Sequence, residues 1–387
     1  MWLLEWFFWL CALIVAYTYL FYPIILVLLN LLLRRKRHVG PVQTSVSFLL
    51  PVHNEEQHLA RRLDELLRLI ETSGMPGEII VISDASTDRS AEIARQYAER
   101  GVRLVEMPEK QGKAAALNAG TAITQNELLI FADARQRWAD DTLARLTENF
   151  ADPAIGAVSG DLMLESAPGV LAGVGLYWRF EKWLRKQESR LGSQVGVTGA
   201  VSACRRSLFQ PIPPGTLLDD VYWPMQVVLQ GYRVIHDERA KAFDRLPENP
   251  RDEFRRKVRT LAGNYQLLTL LPCSAVLPWS NRVWWQWISH KLLRLVVPWA
   301  LIGMFVSSYF LADEWYTIFF WVQTAGYGLG VLGLIPALGR RVRLLGAAGS
   351  FLVLNAAAWL AFWVWISGRA GRSWHKVQYH ESGEAPG

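Results

Sequence analysis

The sequence predicts an α/β domain with a mostly parallel sheet, held between apolar helices that are long enough to span a membrane. Apolar residues make up 51% of the 387 positions, more than in an ordinary soluble domain, and the excess lies in residues 1–33 and 286–367. The middle of the chain instead alternates short apolar runs with amphipathic stretches. This alternation is typical of a parallel sheet with helices on both faces.

The predicted organisation follows these changes in composition along the chain. Its parts are an N-terminal transmembrane helix (1–33), an α/β domain (40–266), an interfacial segment (267–287), a C-terminal bundle of about three transmembrane helices (288–367) and a polar tail (368–387).

The first apolar segment runs from Trp2 to Leu33, and its only formal charge is Glu5. It exceeds the roughly 20 residues that a membrane-spanning helix needs. A cleaved signal peptide would begin with basic residues, whereas the basic cluster Arg34–Arg37 follows this segment. The positive-inside rule therefore places residue 34 onward in the cytosol.

The C-terminal spans are expected to be separated by short polar turns. They are expected at Leu292–Ala312, Trp315–Leu338 and Leu344–Ser367. The stretch before them contains Pro272 and Pro278, which interrupt a helix, so it is interpreted as interfacial. Three spans after a cytosolic domain would place the basic tail outside, against the charge rule, and the side of the tail stays open.

The charge and cysteine content exclude two other classes of protein. The net charge is +6, but the basic residues lie beside apolar segments, as at Arg34–Arg37. This placement favours lipid headgroups over nucleic acid as the partner. Cys11, Cys204 and Cys273 are widely separated, which predicts neither a disulfide framework nor a zinc site.

The α/β domain is predicted from alternating strands and helices. The expected strands are Val46–Leu50, Glu78–Ser83, Val102–Glu106 and Leu128–Asp133, and the expected helices are Leu59–Ile70, Ser90–Arg100 and Lys113–Thr124. In parallel sheets a ligand lies beyond the carboxyl ends of the strands. Those ends carry the polar residues Asn54, Glu55, Asp84, Asp88 and Asp133.

Each motif alone has an ordinary alternative. The Asp84–Asp88 turn could simply cap a helix. Gln111-Gly112-Lys113 opens a helix and is typical of an anion site, although it lacks the spacing of a P-loop. The adjacent pair Asp219-Asp220 could be a solvated turn. The order of the motifs along the chain is more specific than any one of them.

The ordered set resembles the family 2 glycosyltransferases with a GT-A fold. The resembling motifs are Pro51-x-x-Asn54-Glu55, Asp84–Asp88, Gly112-Lys113, Phe131-x-Asp133, Thr198-Gly199-Ala200 and Leu218-Asp219-Asp220. The resemblance covers about Ser45 to Gln266, and the flanking spans are similar to the membrane-bound branch with cellulose, hyaluronan and poly-N-acetylglucosamine synthases.

The resemblance implies a role for each of these residues. Pro51, Asn54, Glu55, Asp84 and Asp88 would bind the nucleoside of a nucleotide sugar. Lys113 would lie near its diphosphate, and Asp133 would hold a Mg²⁺ or Mn²⁺ ion there. Asp220, beside Asp219, would be the general base that takes a proton from the acceptor hydroxyl.

Two departures from the family pattern affect the expected function. Arg135 stands where the family has the second Asp of its Asp-x-Asp motif. Asp133 would then ligate the metal without a second Asp, with His236 as one possible additional ligand. Alternatively, Arg135 would itself supply positive charge to the diphosphate. Arg256 and Thr260 replace the Gln and Trp of the Gln-x-x-Arg-Trp motif, which in processive synthases helps to hold the nucleotide. Arg259 keeps the phosphate-binding charge of this motif, and the resemblance implies that Arg256 and Arg259 contact the nucleotide donor. Losing the Trp removes a surface on which an acceptor sugar would stack.

The function expected from this resemblance is inverting transfer of a sugar from a UDP-linked nucleotide sugar to a glycan or lipid-linked acceptor, in the synthesis of an exopolysaccharide or cell-surface glycan. The transfer is expected at the cytosolic face of a bacterial inner membrane. Two alternatives stay open: transfer of one sugar to a lipid or lipid phosphate, and a catalytically inactive membrane scaffold of a glycan synthase.

Overall fold

The structure, a computed structural model, describes residues 1–165, 172–245 and 250–368. The helices are α1 (Trp2–Ala16), α2 (Tyr22–Leu33), α3 (Glu56–Ser73), α4 (Ser90–Gln96), α5 (Lys113–Ile123), α6 (Thr142–Thr147), α7 (Ala172–Leu191), α8 (Asp219–Leu229), α9 (Pro250–Leu270), α10 (Trp284–Gln286), α11 (Leu293–Phe310), α12 (Glu314–Gly333), α13 (Pro336–Arg341) and α14 (Arg343–Ile366). The strands are β1 (Val46–Val52), β2 (Gly77–Asp84), β3 (Val102–Met107), β4 (Leu128–Ala132), β5 (Arg137–Trp138), β6 (Ile155–Glu165), β7 (Val201–Arg205) and β8 (Arg233–Arg245).

The strands form one mixed sheet in the order β3-β2-β1-β4-β7-β6-β8-β5. Strands β1 to β4 are parallel to one another, β6 and β8 share their direction, and β7 and β5 run the opposite way. The predicted α/β fold with a mostly parallel sheet is therefore confirmed, with the antiparallel pairings confined to its second half. The carboxyl ends of β1, β2 and β4 lie side by side and carry the predicted polar residues.

Both faces of the sheet are buried, and alternate residues of β1 show why. Leu49 packs on the face covered by α5, with Ile82 and Leu117, whereas Phe48 and Leu50 pack on the α3 face. Burying one such side chain contributes roughly 1.5–3 kcal/mol. The predicted strands and helices of residues 46–133 are all present, with ends that differ by a few residues.

Three helices among the described residues are long and apolar enough to cross a membrane: Trp2–Leu33, Trp284–Phe310 and Arg343–Ile366. The first joins α1 and α2 through a π-helical turn, and the second joins α10 and α11 in the same way. Their composition marks the chain as a membrane protein.

The structure changes two details of the expected C-terminal region. The helix expected to begin at Leu292 begins at Trp284, so part of the segment interpreted as interfacial is the first turn of a long helix. The span expected over Trp315–Leu338 is divided between α12, which ends at Gly333, and the short helix α13, which begins at Pro336. Helix α12 is not among the three candidate spans of the described residues. The polar tail from residue 369 onward lies outside the described residues.

Helix α12 nevertheless packs closely on α14. A Cβ atom added at Gly333 would lie 1.9 Å from the Leu345 carbonyl oxygen, so no larger residue fits at this crossing. Small residues at such contacts allow helix backbones in a membrane to approach each other.

Candidate active site

The loops after β1 and β2 are joined by hydrogen bonds between side chains and backbone. Asn54 has a positive φ of 57° and Ala85 one of 51°. The Asn54 side-chain oxygen accepts the Thr87 N–H at 2.8 Å, and the Asn54 N–H donates to the Ser86 hydroxyl at 3.2 Å. Two strained backbone positions are thereby held by contacts between the two loops, which fixes the edge of the sheet where a ligand is expected.

Asp88 caps the helices that follow these loops. Its carboxylate accepts the N–H of Glu56, which begins α3, and the N–H of Ser90, which begins α4, each at 3.0 Å. The Ser90 hydroxyl in turn accepts the Glu55 N–H at 2.9 Å. Asp88 therefore has the capping role named as its alternative, and any contact of Asp88 or Glu55 with a nucleotide stays a prediction. Pro51 lies within β1 opposite Ile82.

Asp84 holds the turn that starts α5. The carboxylate is buried and accepts the N–H of Gln111 at 2.7 Å and that of Gly112 at 2.9 Å. Gly112 has a φ of 89°, a conformation that glycine adopts without strain. This turn places Lys113 at the first position of α5, so Asp84 contributes to the site by positioning the loop and the helix N-terminus.

Lys113 meets the carboxylate that ends β4. Its Nζ donates to Asp133 Oδ1 at 2.6 Å. Burial alone would lower the pKa of Lys113, but the neighbouring carboxylates Asp133 and Asp219, followed by Asp220, more than offset it and raise the pKa. The ammonium is therefore a permanent positive charge at the centre of an acidic site.

The acidic pair lies in the first turn of α8, facing the Thr198–Gly199 loop. The Val197 N–H donates to the Asp220 carbonyl oxygen at 2.8 Å. A Cβ atom added at Gly199 would lie 3.3 Å from Lys113 Nζ and 3.6 Å from Asp220 Cβ. The absence of a side chain at Gly199 therefore keeps space between the lysine and the acidic pair.

The two carboxyls are harder to ionise than ordinary ones. Burial raises the pKa of Asp219 to about 6, with Lys113 opposing the shift and Asp220 adding to it. Burial also raises the pKa of Asp220, opposed by the positive charges of Arg185, Lys113, Lys291 and Arg259. A carboxylate with a raised pKa in a pocket is the property expected of a general base.

Comparison with known proteins agrees with this geometry. Residues 47–212 match the family described as Glycosyl transferase family 2, and this range contains the Asp84 turn, Lys113, Asp133 and the Gly199 loop. The match identifies residues 47–212 as a glycosyltransferase family 2 domain. The poly-beta-1,6-N-acetyl-D-glucosamine synthases of Staphylococcus aureus (strain COL) and Staphylococcus epidermidis are each 24% identical to this glycosyltransferase.

The alignments leave part of both proteins uncovered. They include 58% of this chain and 55% of the S. aureus protein, and 65% of this chain and 59% of the S. epidermidis protein. The glycosyltransferase thus spans little more than half the length of the curated relatives it matches. A solved mannosyltransferase from Pyrobaculum calidifontis, in complex with GDP-Man and Mn²⁺, has the same fold with a TM-score of 0.69 at 20% identity, covering 94% of this chain and 99% of its own.

The glycosyltransferase differs from its family at the position expected to carry a second metal carboxylate. Arg135 forms a bidentate ion pair with Asp244 of β8, with Nε to Oδ1 at 3.0 Å and Nη2 to Oδ2 at 2.7 Å. Gln136 donates to the same carboxylate at 2.9 Å. Arg135 therefore ties the end of β4 to β8, and its expected contact with the donor stays a prediction.

The residues near Asp133 fit a divalent ion only in part. Asp133 is a hard oxygen ligand whose side chain is 34% exposed, which suits Mg²⁺ or Mn²⁺. No group of three metal-binding side chains occurs in residues 1–165, 172–245 and 250–368. His236, considered as a helper, has a pKa lowered to about 4 by burial, with Asp161, Arg185 and Lys182 as neighbouring charges. Asp133 would therefore supply one ligand of the ion, and the phosphate oxygens of a bound nucleotide would supply others.

The two arginines of the altered Gln-x-x-Arg-Trp motif have different surroundings. Arg259 acts electrostatically on Asp220, so the structure brings it to the acidic pair. Arg256 forms an ion pair with Glu253 one turn away on α9, at 3.0 Å. No described contact joins Arg256 to the acidic pair. Its guanidinium pairs instead with a residue of its own helix.

Tyr265 lies five residues after Thr260 but does not take the place of the missing stacking Trp. Its ring stacks on Trp365 of α14 with centroids 5.6 Å apart, and its hydroxyl donates to the Leu295 carbonyl oxygen at 3.0 Å. The side chain is buried among the membrane helices, so it offers no face to an acceptor sugar.

Sequence reasoning missed two cations that act on Asp220. Arg185 lies on α7, and Lys291 lies in the π-helical turn between α10 and α11. Neither belongs to a family motif. Lys291 directly precedes the span expected from Leu292, a position typical of a membrane flank, and no sequence pattern marks Arg185.

Proposed function

We propose that this glycosyltransferase transfers a sugar from a UDP-linked donor to a glycan or lipid-linked acceptor, with inversion, at the cytosolic face of a bacterial inner membrane. The convergence of Lys113, Asp133 and the Asp219-Asp220 pair around Gly199 supports this most strongly. The positive-inside rule, applied to the cluster Arg34–Arg37, supports the cytosolic side.

The residues divide the reaction between them. The Asp84-held turn and the N-terminus of α5 would receive the nucleotide and its phosphates. Asp220 would remove the proton of the acceptor hydroxyl, whose oxygen attacks the anomeric carbon as the bond to the diphosphate breaks. Lys113 would balance the negative charge that collects on the leaving nucleoside diphosphate. A Mg²⁺ or Mn²⁺ ion held by Asp133 would stabilise the same charge.

Between polymerisation and a single addition, the structure favours a single addition. Thr260 stands where processive relatives have a stacking Trp, and Tyr265 packs against Trp365 instead of facing the site. We therefore propose transfer of one sugar to a lipid-linked acceptor ahead of synthesis of a long glycan.

The deciding experiment is a screen of nucleotide sugars with the full chain in phosphatidylcholine vesicles and total bacterial lipid, measured as released nucleotide and labelled product. We expect release with one donor, faster with Mg²⁺ or Mn²⁺ than with chelator, and a single labelled lipid band. A ladder of products would replace single addition by polymerisation. Absence of release with every donor, equal for wild type and Asp220→Asn, would leave the inactive scaffold as the better description.

A further inference from the structure

A cavity of about 560 Å³ lies where the candidate membrane helices meet the transferase domain. Its walls include Tyr19 from the first candidate span, Phe351 and Leu354 from the third, Phe180 from α7 and Leu261 from α9. The volume lies within the range of small-molecule sites, roughly 300–1,000 Å³. A mostly apolar cavity formed by both membrane helices and a soluble domain is suited to an amphipathic molecule.

The cavity also has positive charge at its wall. Arg179 of α7 and Arg294 of α11 both line it. Arginine binds phosphate through a planar fork of N–H donors and keeps its charge near a membrane. An apolar chain with an anionic headgroup matches this combination, whereas a neutral glycan matches neither the apolar wall nor the arginines.

A cluster centred on Glu181 joins the cavity to the acidic pair. Arg294 contacts the Glu181 carboxylate at 2.6 Å, Arg185 at 3.3 Å and Lys291 at 3.5 Å. Arg185 and Lys291 are the same cations that act on Asp220. One carboxylate thus connects a cavity-lining arginine with two charges of the candidate active site.

The membrane helices hold this cluster in place. His290 contacts Glu188 at 2.7 Å and Glu181 at 3.0 Å, and the Tyr22 hydroxyl donates to Glu188 at 2.6 Å. Tyr22, Glu188, His290 and Glu181 are buried.

We infer that this cavity binds the chain of an anionic lipid acceptor, with its phosphate at Arg179 and Arg294 and a headgroup hydroxyl directed toward Asp220. The inference rests on the proposed function and names its acceptor class. The hydroxyl proton passes to Asp220, the hydroxyl oxygen forms the new bond to the anomeric carbon, and the nucleoside diphosphate leaves with the electron pair of the broken bond.

Photocrosslinking tests the site without requiring catalysis. The full chain in phosphatidylcholine vesicles is irradiated with phosphatidylglycerol that carries a photoreactive group on its acyl chain, and separately with the matching phosphatidylcholine probe. We expect the anionic probe to label the α14 segment around Phe351 several-fold more than the neutral probe, with the label mapped by mass spectrometry.

Three variants separate cavity binding from general lipid contact. Ser350→Trp fills the cavity and should reduce labelling several-fold, with the smaller Ala347→Leu reducing it less. Leu344→Trp places the same side chain on α14 at a position that is 70% exposed, and labelling should stay at the wild-type level. Arg179→Gln should bring labelling by the anionic probe close to that by the neutral probe.

The results distinguish this inference from the proposed function. Equal labelling by both probes, unaffected by Arg179→Gln and Ser350→Trp, would show an ordinary bilayer lipid and overturn the inference even where nucleotide release is intact. Selective labelling without nucleotide release from any donor would instead contradict the transferase proposal and leave the lipid site standing. Selective labelling together with sugar recovered in the lipid phase supports both.

Discussion

The two sides of the candidate active site are built from different kinds of contact. On the side proposed to bind the donor, called the donor side below, carboxylates and amides accept backbone N–H groups, as Asp84 does from Gln111 and Gly112. On the side proposed to bind the acceptor, called the acceptor side, the cations Lys113, Arg185 and Lys291 act on the acidic pair. One side fixes the backbone, and the other sets the protonation of carboxyl groups.

This difference separates two kinds of mutational effect. Hydrogen bonds to backbone N–H groups are short-ranged, so losing one should loosen a loop and weaken binding while leaving distant pKa values unchanged. Charges act over several ångströms in a buried region, so losing one should move the pH dependence of the reaction. The variants below test this separation.

The largest effect is expected for Asp220→Asn. The amide cannot accept the acceptor's proton, so the rate of transfer should fall by about 10²–10⁴-fold with little change in donor affinity. Only the ionised carboxylate is a base, and the pKa of Asp220 is raised. As the pH is lowered, the wild-type rate should therefore begin to fall at a higher pH than it would with an ordinary carboxylate.

Transfer rates at saturating donor across a pH series measure this effect. Asp140→Asn is the matched control, because Asp140 is an exposed carboxylate paired with Arg68 at the surface. Loss of activity in Asp140→Asn equal to that in Asp220→Asn would contradict the assignment of the base.

The second largest effect is expected for Lys113→Met. Without the ammonium, nothing from α5 lowers the pKa of Asp219 and Asp220, so both should rise further. The acid limb of the pH–rate profile should move up by about one pH unit, equivalent to about 1.4 kcal/mol, with a lower maximum rate. Lys113→Arg keeps the charge and should keep the limb in place. A limb that stays in place in Lys113→Met would mean that Lys113 does not govern the acidic pair.

A smaller effect of a different kind is expected for Asp84→Asn. The variant keeps the shape but has one acceptor oxygen for two backbone N–H groups, which costs about 1.5–3 kcal/mol for a hydrogen bond to a charged group. The KM for the donor should rise by roughly 10–100-fold, with the position of the acid limb unchanged. Steady-state kinetics at several pH values distinguish the two sides, and a moved limb would show that they are not separate.

The smallest effect is expected for Arg256→Ala. Its partner is Glu253 on the same helix, and such partly exposed pairs are worth about 0–1 kcal/mol, so the donor KM should change by less than about fivefold. Arg259→Ala should have a larger effect, because Arg259 acts on Asp220. Equal changes in donor KM for the two variants would support the role that the motif implies for Arg256. A smaller change for Arg256→Ala would support its observed pairing with Glu253.

The sequence predicted the donor side better than the acceptor side. Strand periodicity placed Asp84 and Asp133 at the carboxyl ends of β2 and β4, because neighbouring strands of a parallel sheet end at one edge. The capping role of Asp88 was visible as an alternative, since capping is local in sequence.

The acceptor side depends on contacts between residues far apart in the chain. Lys291 is 71 positions after Asp220, and the only sequence pattern around it was that of a membrane flank. Arg135 showed that a carboxylate was missing, but its partner Asp244 comes from another strand 109 positions away. Periodicity and motifs do not determine which distant side chains meet.

The ion pairs at Glu181 have a consequence for where this protein can be cut. A fragment that ends near Gln266, where the family resemblance ends, would lack His290, Lys291 and Arg294 and leave Glu181 and Glu188 without those partners. Asp220 would lose one of its nearby cations in the same truncation. A unit that keeps the native charges around Asp220 therefore includes the helix Trp284–Phe310, although the composition of that helix is that of a candidate membrane span.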